Sequence, residues 1–185
     1  MLGHILLIAG GLGAAWNLLS GWFGGKEKEH PKAQKDQSQY DDDNEYYLAL
    51  RAKASEYGNL MVQCFQQSHE AYERRDGAHA KVLSEQGKRL KQTMEKLNAE
   101  ASAWIYRENN LDVQPGEVDL HDLYVKEAIS YSERAIQEAR GRGDTEIRLI
   151  VGKGLHSDDN VAKIKPALED FMRRQNLPTR IYPPR

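Results

Sequence analysis

The residues able to do chemistry gather in two short stretches of the C-terminal half. One is Val118-Asp119-Leu120-His121-Asp122; the other is Val151-Gly152-Lys153-Gly154-Leu155-His156-Ser157. On a strand, residues two apart face the same side, about 6.5 Å apart along it, so Asp119 and His121 can act as a pair. A carboxylate beside an imidazole raises its pKa and steers its tautomer, which suits the ring to proton transfer. In the second stretch Gly152 and Gly154 let backbone N–H groups approach an anion without Cβ interference. Lys153 adds a mobile positive charge, His156 a second imidazole and Ser157 a hydroxyl. Together these groups can cradle a phosphodiester and move protons around it. The G-x-x-x-x-G-K-[ST] spacing of a P-loop is absent. Taken alone, a D-x-H pair is commonly a surface or turn pair and a G-x-G a plain turn, so the two stretches make a site only if the fold brings them together.

The elements that must position them lie in residues 111–185. "GEVDLH" after the turn "QPG" reads as a short strand, and "LYVKEAISYSERAIQEAR" as an amphipathic helix with Val125, Ala128, Ile129 and Ile136 inward. "TEIRLIV" is a second strand, rich in β-branched residues. A helix holding Leu168, Phe171 and Met172 follows, with Pro166 in its first turn. "LPTRIY" is a third short strand. Strand-helix-strand-helix-strand predicts a small α/β layer with parallel neighbours and right-handed crossovers. Both strand ends then reach the same edge of the sheet, where ligands bind in open α/β folds. Paired strands lie about 4.8 Å apart, so His121 and the Gly152–Gly154 bend become neighbours.

Upstream, residues 45–110 carry a helical period. Leu50, Ala54, Tyr57, Met61 and Phe65 form one stripe; Leu83, Gly87, Leu90, Met94, Leu97, Ala101 and Ile105 form another. "RRDGAHA" separates them, with Gly77 as the end of the first helix, which predicts an αα-hairpin. Residues 26–44 mix both charge signs with almost nothing apolar and read as a disordered linker. Residues 2–25 contain no Asp, Glu, Lys or Arg, about the length that crosses a bilayer core. Trp16, Trp22 and Phe23 gather at its downstream end and Lys26 and Lys28 follow, so residues 1–25 read as a membrane anchor with the C-terminal domains in the cytosol. His69 and His79 flank the hairpin turn as surface residues, and His4 and His30 have no evident partners.

Composition narrows the classes. With 39% hydrophobic and 29% charged residues and a formal net charge of −2, the whole molecule is no electrostatic glove for nucleic acid; a nucleic-acid site must be a local patch. Arg148, Lys163 and Lys165, with Arg140 and Arg142, are candidates for that patch. Cys64 is the only cysteine, which excludes an intrachain disulfide and a CxxC metal knuckle and fits a reducing, cytoplasmic setting.

"VDLHDLYVKEAI", "LIVGKGLHS" and "KIKPALEDFM" together resemble a Smr domain, the small MutS-related module. The preceding helical stretch resembles the domain of unknown function that stands before Smr in eukaryotic, notably fungal, proteins. The resemblance covers about residues 45–182 and implies a nuclease: some Smr domains nick DNA, and others cleave RNA, including mRNA on stalled ribosomes. The family's L-D-x-H-G motif falls on residues 118–122, with Asp122 where glycine is usual, and its glycine-rich motif on residues 151–154. Family members usually continue through a further C-terminal strand, so the sheet is expected to have an open edge.

The expectation is metal-independent RNA cleavage without a cofactor. His121 takes the ribose 2′-OH proton with Asp119 orienting it, His156 or a water protonates the leaving oxygen, and Lys153 with the Gly152–Gly154 amides stabilises the phosphorane. The rival mechanism holds a divalent ion on Asp119 and another carboxylate. Two other classes stand beside it: an RNA- or ribosome-binding adaptor without catalysis, and a membrane-tethered scaffold working through the hairpin.

Overall fold

A computed structural model describes residues 4–9, 37–152 and 162–182. The chain divides into two units: residues 36–107, and residues 108–185 together with the N-terminal strand.

The first unit is an αα-hairpin. Helix α1 spans Gln37–Glu73 and helix α2 spans Gly77–Asn109. The periodic small and apolar residues make the contact stripe: Leu50, Ala54, Cys64 and Ala71 of α1 are buried, as are Ala80, Leu83, Gly87, Ala101 and Ile105 of α2. Phe65 crosses to α2 at Gly87, where a Cβ would stand 2.8 Å from the ring, so a larger residue there would displace the ring. Polar bonds pin the register. Ser68 Oγ donates to the Ala80 carbonyl (2.7 Å), and the buried Arg51 donates to Asn98 Oδ1 (2.8 Å). The turn lies earlier than Gly77. Arg75 takes the left-handed conformation (φ 62°), and Asp76 Oδ1 accepts the His79 N–H (3.0 Å) as the N-cap of α2. Gly77 therefore starts the second helix rather than ending the first. Helix α1 also begins before the expected linker ends: residues 37–44 are helical. His69 is on the surface, 3.3 Å from Glu73.

Among the described residues the second unit is a four-stranded parallel sheet with two helices. Its elements are β1 (His4–Ala9), β2 (Glu117–Asp119), α3 (Val125–Arg142), β3 (Glu146–Val151), α4 (Ile164–Arg174) and β4 (Thr179–Tyr182), with strand order β2-β3-β1-β4. The expected strand-helix-strand-helix-strand order is present from β2 to β4, all strands parallel. Both crossovers run the same way across the sheet, so right-handed connections put α3 and α4 on one face, where they touch each other. Ile147, Leu149 and Val151 form the buried face of β3, and Leu168 and Met172 of α4 and Ala128, Ala135, Ile136 and Ala139 of α3 are buried as well. Pro166 sits in the first turn of α4, where it costs no hydrogen bond. The "QPG" turn is type II: the Glu117 N–H bonds the Gln114 carbonyl (2.9 Å), Pro115 leads, and Gly116 takes the required positive φ of 84°.

One expectation is overturned. His4–Ala9, read as the start of a membrane-spanning helix, is a strand lying between β3 and β4, with Leu7 in register with Leu149 and Ile181. A run of Ile and Leu without charge suits a central strand hydrogen-bonded on both sides as well as it suits lipid. Among the described residues no helix is long and apolar enough to cross a membrane. The rest of the stretch, residues 10–25, lies outside the described residues, as do 26–36 of the linker and His30.

Candidate nuclease site

Strand β2 is only three residues long, and its register with β3 pairs Asp119 with Ile150, two residues before Gly152. The Leu120 N–H still bonds the Ile150 carbonyl (2.9 Å), and then the chain turns. This turn changes the expected geometry. His121 does not continue the strand; its ring folds back onto Asp119. Asp119 Oδ1 accepts both the backbone N–H of His121 (2.9 Å) and its ring Nδ1–H (2.7 Å). A short strand ending in an Asx-type turn thus makes the pair closer than strand spacing alone allows.

Asp122 completes the turn with φ 62°, a left-handed conformation that favours glycine and that aspartate tolerates better than most residues. The aspartate therefore keeps the backbone shape of the family's usual glycine while adding a charge. Its Oδ2 lies 3.5 Å from His121 Nε2. Partial burial opposes the charged imidazole, but the hydrogen bond and charge of Asp119, joined by the charge of Asp122, outweigh it, and the His121 pKa is raised above its ordinary value. With Nδ1–H held by Asp119, the neutral ring carries its lone pair on Nε2 and can accept a proton there.

Sequence reasoning missed the brace beneath this pair. Asn110 Nδ2 donates to the Asp119 carbonyl (2.8 Å), while its Oδ1 accepts the Asp119 N–H (2.8 Å). Asn109 Nδ2 donates to the His121 carbonyl (2.9 Å). Two side chains at the end of α2 thus do for the outer edge of β2 what a neighbouring strand would do. The signal was there, paired asparagines at a helix end, but that pattern reads as an ordinary helix stop.

The other expected residues fare differently. Gly152 follows β3 directly, at the rim where Asp119 ends β2. Lys153, Gly154, His156 and Ser157 lie outside the described residues. Lys163 and Lys165 stand at the start of α4, which the topology puts at the same end of the sheet as the close of β3. Arg148 lies three residues before the end of β3; it pairs across the strands with Glu117, and its guanidinium bonds the Glu117 carboxylate. A groove lined by Gln114, Glu117, Asp144, Glu146 and Arg148 lies at the starting ends of the strands, away from His121. Among the described residues no three His, Cys, Asp or Glu side chains converge as a metal site.

Comparison with known proteins places two domains on this geometry. Residues 47–110 match the family model of a domain of unknown function (DUF1771), and residues 118–182 match the Smr domain. Endonuclease NBR9 of Saccharomyces cerevisiae is 37% identical over 134 residues, 72% of this chain and 56% of the relative. A Smr domain-containing protein of Schizosaccharomyces pombe is 35% identical over 133 residues, 72% of this chain and 65% of the relative. The human NEDD4-binding protein 2 is 30% identical over 128 residues, 66% of this chain but 7% of its own length. The chain thus spans between half and two thirds of the two yeast relatives. No solved structure matches it. The helical domain in front, the Smr domain behind and the same pairing in fungal relatives identify the chain as a member of the Smr-domain proteins of the DUF1771–Smr type.

Proposed function

We propose that this protein is a Smr-type endonuclease acting on RNA, with His121 as general base and Asp119 as its orienting partner. The observation that carries the reading is the 2.7 Å bond from His121 Nδ1 to Asp119, which leaves Nε2 as the nitrogen that takes a proton. The yeast relative's name, an endonuclease, supports the reaction class. In the proposed step Nε2 removes the proton of a ribose 2′-OH, O2′ bonds to phosphorus, and the P–O5′ bond breaks. The O5′ oxygen takes a proton from His156 or water, so the products are a 2′,3′-cyclic phosphate and a 5′-hydroxyl. Gly152–Gly154 amides and Lys153 stabilise the charge gathering on the phosphorane. The sugar's own hydroxyl is the nucleophile, so the scheme needs no metal ion.

The test incubates the purified chain with end-labelled RNA and the matching DNA, with and without EDTA, beside His121→Ala. Expected are RNA cleavage that persists in EDTA, cyclic-phosphate ends, and a loss of about 10²–10⁴-fold in the variant. Full activity in His121→Ala overturns the role of the histidine. EDTA-abolished cleavage transfers the mechanism to a divalent ion, and DNA nicking without RNA cleavage changes the substrate.

A further inference from the structure

The hairpin is nearly neutral as a sequence, with ten Lys and Arg against nine Asp and Glu over residues 45–110. The fold sorts these charges. From residue 45 onward α1 carries Glu45, Glu56, Glu70 and Glu73 against Arg51 and Lys53, and Arg51 is buried. Helix α2 carries Lys81, Lys88, Arg89, Lys91, Lys96 and Arg107. Two of its acids are already engaged: Glu95 lies 3.7 Å from Lys91, and Glu100 accepts the Tyr46 hydroxyl (2.6 Å).

Lys81, Lys88, Arg89 and Lys96 remain, all exposed, and none of them forms an ion pair among the described residues. Their spacing of seven, one and seven residues puts them on one face at 100° per residue, within about a quarter to a third of the circumference. Gln92, also exposed, lies inside that arc, and Glu85 is the single acid on it. The buried residues Ala80, Leu83, Gly87, Ala101 and Ile105 occupy the opposite face, so the strip looks away from α1. At about 1.5 Å per residue it runs roughly 22 Å.

We propose that this face of α2 is a docking strip for the sugar-phosphate backbone of the nucleic-acid substrate; the proposal rests on the nuclease reading above. Charge complementarity selects the occupant. A row of flexible ammonium groups on a rigid rod matches a polyanion with regularly repeated charges, and Arg89 offers a fork that grips phosphate oxygens in pairs. A protein partner needs an apolar centre within a polar rim. The strip has no large apolar residue within it; Val82 stands at its border. Because it meets phosphates and no base edges, the strip adds affinity without sequence preference.

The experiment uses the full chain on a His121→Ala background, so that RNA stays intact, and reads the anisotropy of a labelled 30-mer RNA across a salt series. The variant replaces Lys81, Lys88, Arg89 and Lys96 by Gln, a good helix former, and circular dichroism checks that helicity is kept. The expected result is a Kd raised at least tenfold near 50 mM salt and a log Kd against log salt slope reduced by about 2 to 3, since each phosphate neutralised on a single strand adds roughly 0.7 to that slope. Lys53→Gln on α1 serves as the control and stays within twofold. An unchanged Kd and slope in the fourfold variant overturn the proposal. Cleavage by the chain with His121 restored is scored separately: weakened binding in the variant with no cleavage by the native chain sinks the nuclease reading alone, and cleavage with unaltered binding sinks the strip alone.

Discussion

At the scale of residues, the site is a histidine between two carboxylates that differ in role. Asp119 fixes the ring through Nδ1 and the backbone N–H; Asp122 faces the other nitrogen at 3.5 Å and only adds charge there. The raised His121 pKa has a definite sign of consequence. In the folded state the charged ring is favoured, so the stabilisation it provides is fully present below the unfolded value of about 6.5 and is lost as pH rises through the folded value. In the proposed reaction the dependence runs the other way, because a general base must be neutral, so the acid limb of the rate profile should follow the raised pKa. Asp122→Gly removes one source of that shift and keeps a residue at ease with φ 62°. The acid limb should move to lower pH, while stability changes little, because relief of left-handed strain and the greater freedom of unfolded glycine, each about 1 kcal/mol, oppose one another. A limb that stays put would deny Asp122 its influence on the ring. The aspartate–histidine pair was legible because a short alternating strand announces itself. The turn that brings the ring onto Asp119 was not, since it depends on where β2 stops, and neither was the brace from Asn109 and Asn110, whose partners are the backbone of another element.

At the scale of elements, the decisive piece is β1. It pairs with β3 on one side and β4 on the other, and β4 has no other strand beside it among the described residues. The strand that precedes the hairpin thus fills the gap between them, and β4 forms that edge among the described residues. Leu7→Pro tests this through the backbone: at a position flanked by Leu149 and Ile181, proline removes a ladder donor from a central strand. The sheet unit should lose about 3 kcal/mol or more, seen as early loss of the cooperative transition in urea, while the helical signal of α1 and α2 persists. A wild-type midpoint for Leu7→Pro would mean that β1 is dispensable. The sequence announced α3, β3 and α4 well, because amphipathic periods and turn chemistry are local. It hid β1, because an apolar run without charge has no period that tells a central strand from a bilayer segment, and its neighbours stand more than 130 residues away.

At the scale of the whole molecule, the chain has two units of different construction. The hairpin buries mostly small residues, among them Ala54, Ala71, Ala80 and Ala101, whereas the sheet unit buries Leu120, Ile147, Leu149, Leu168 and Met172 completely. Small side chains bring two helices close but remove little apolar area from water. The hairpin should therefore open at lower cost: native-state hydrogen exchange should give smaller opening free energies for residues 50–105 than for β3 and α4, and equal values would show one cooperative body. The place of β1 in the sheet also bears on how the polypeptide is made. During translation the strand destined for the middle emerges before the helical hairpin, and both of its future neighbours emerge after it. The nascent chain therefore carries an unsatisfied β-prone segment while the whole hairpin is made and then closes a long loop, so yield in the cell should depend on chaperones that shield residues 4–9 until β3 and β4 have followed.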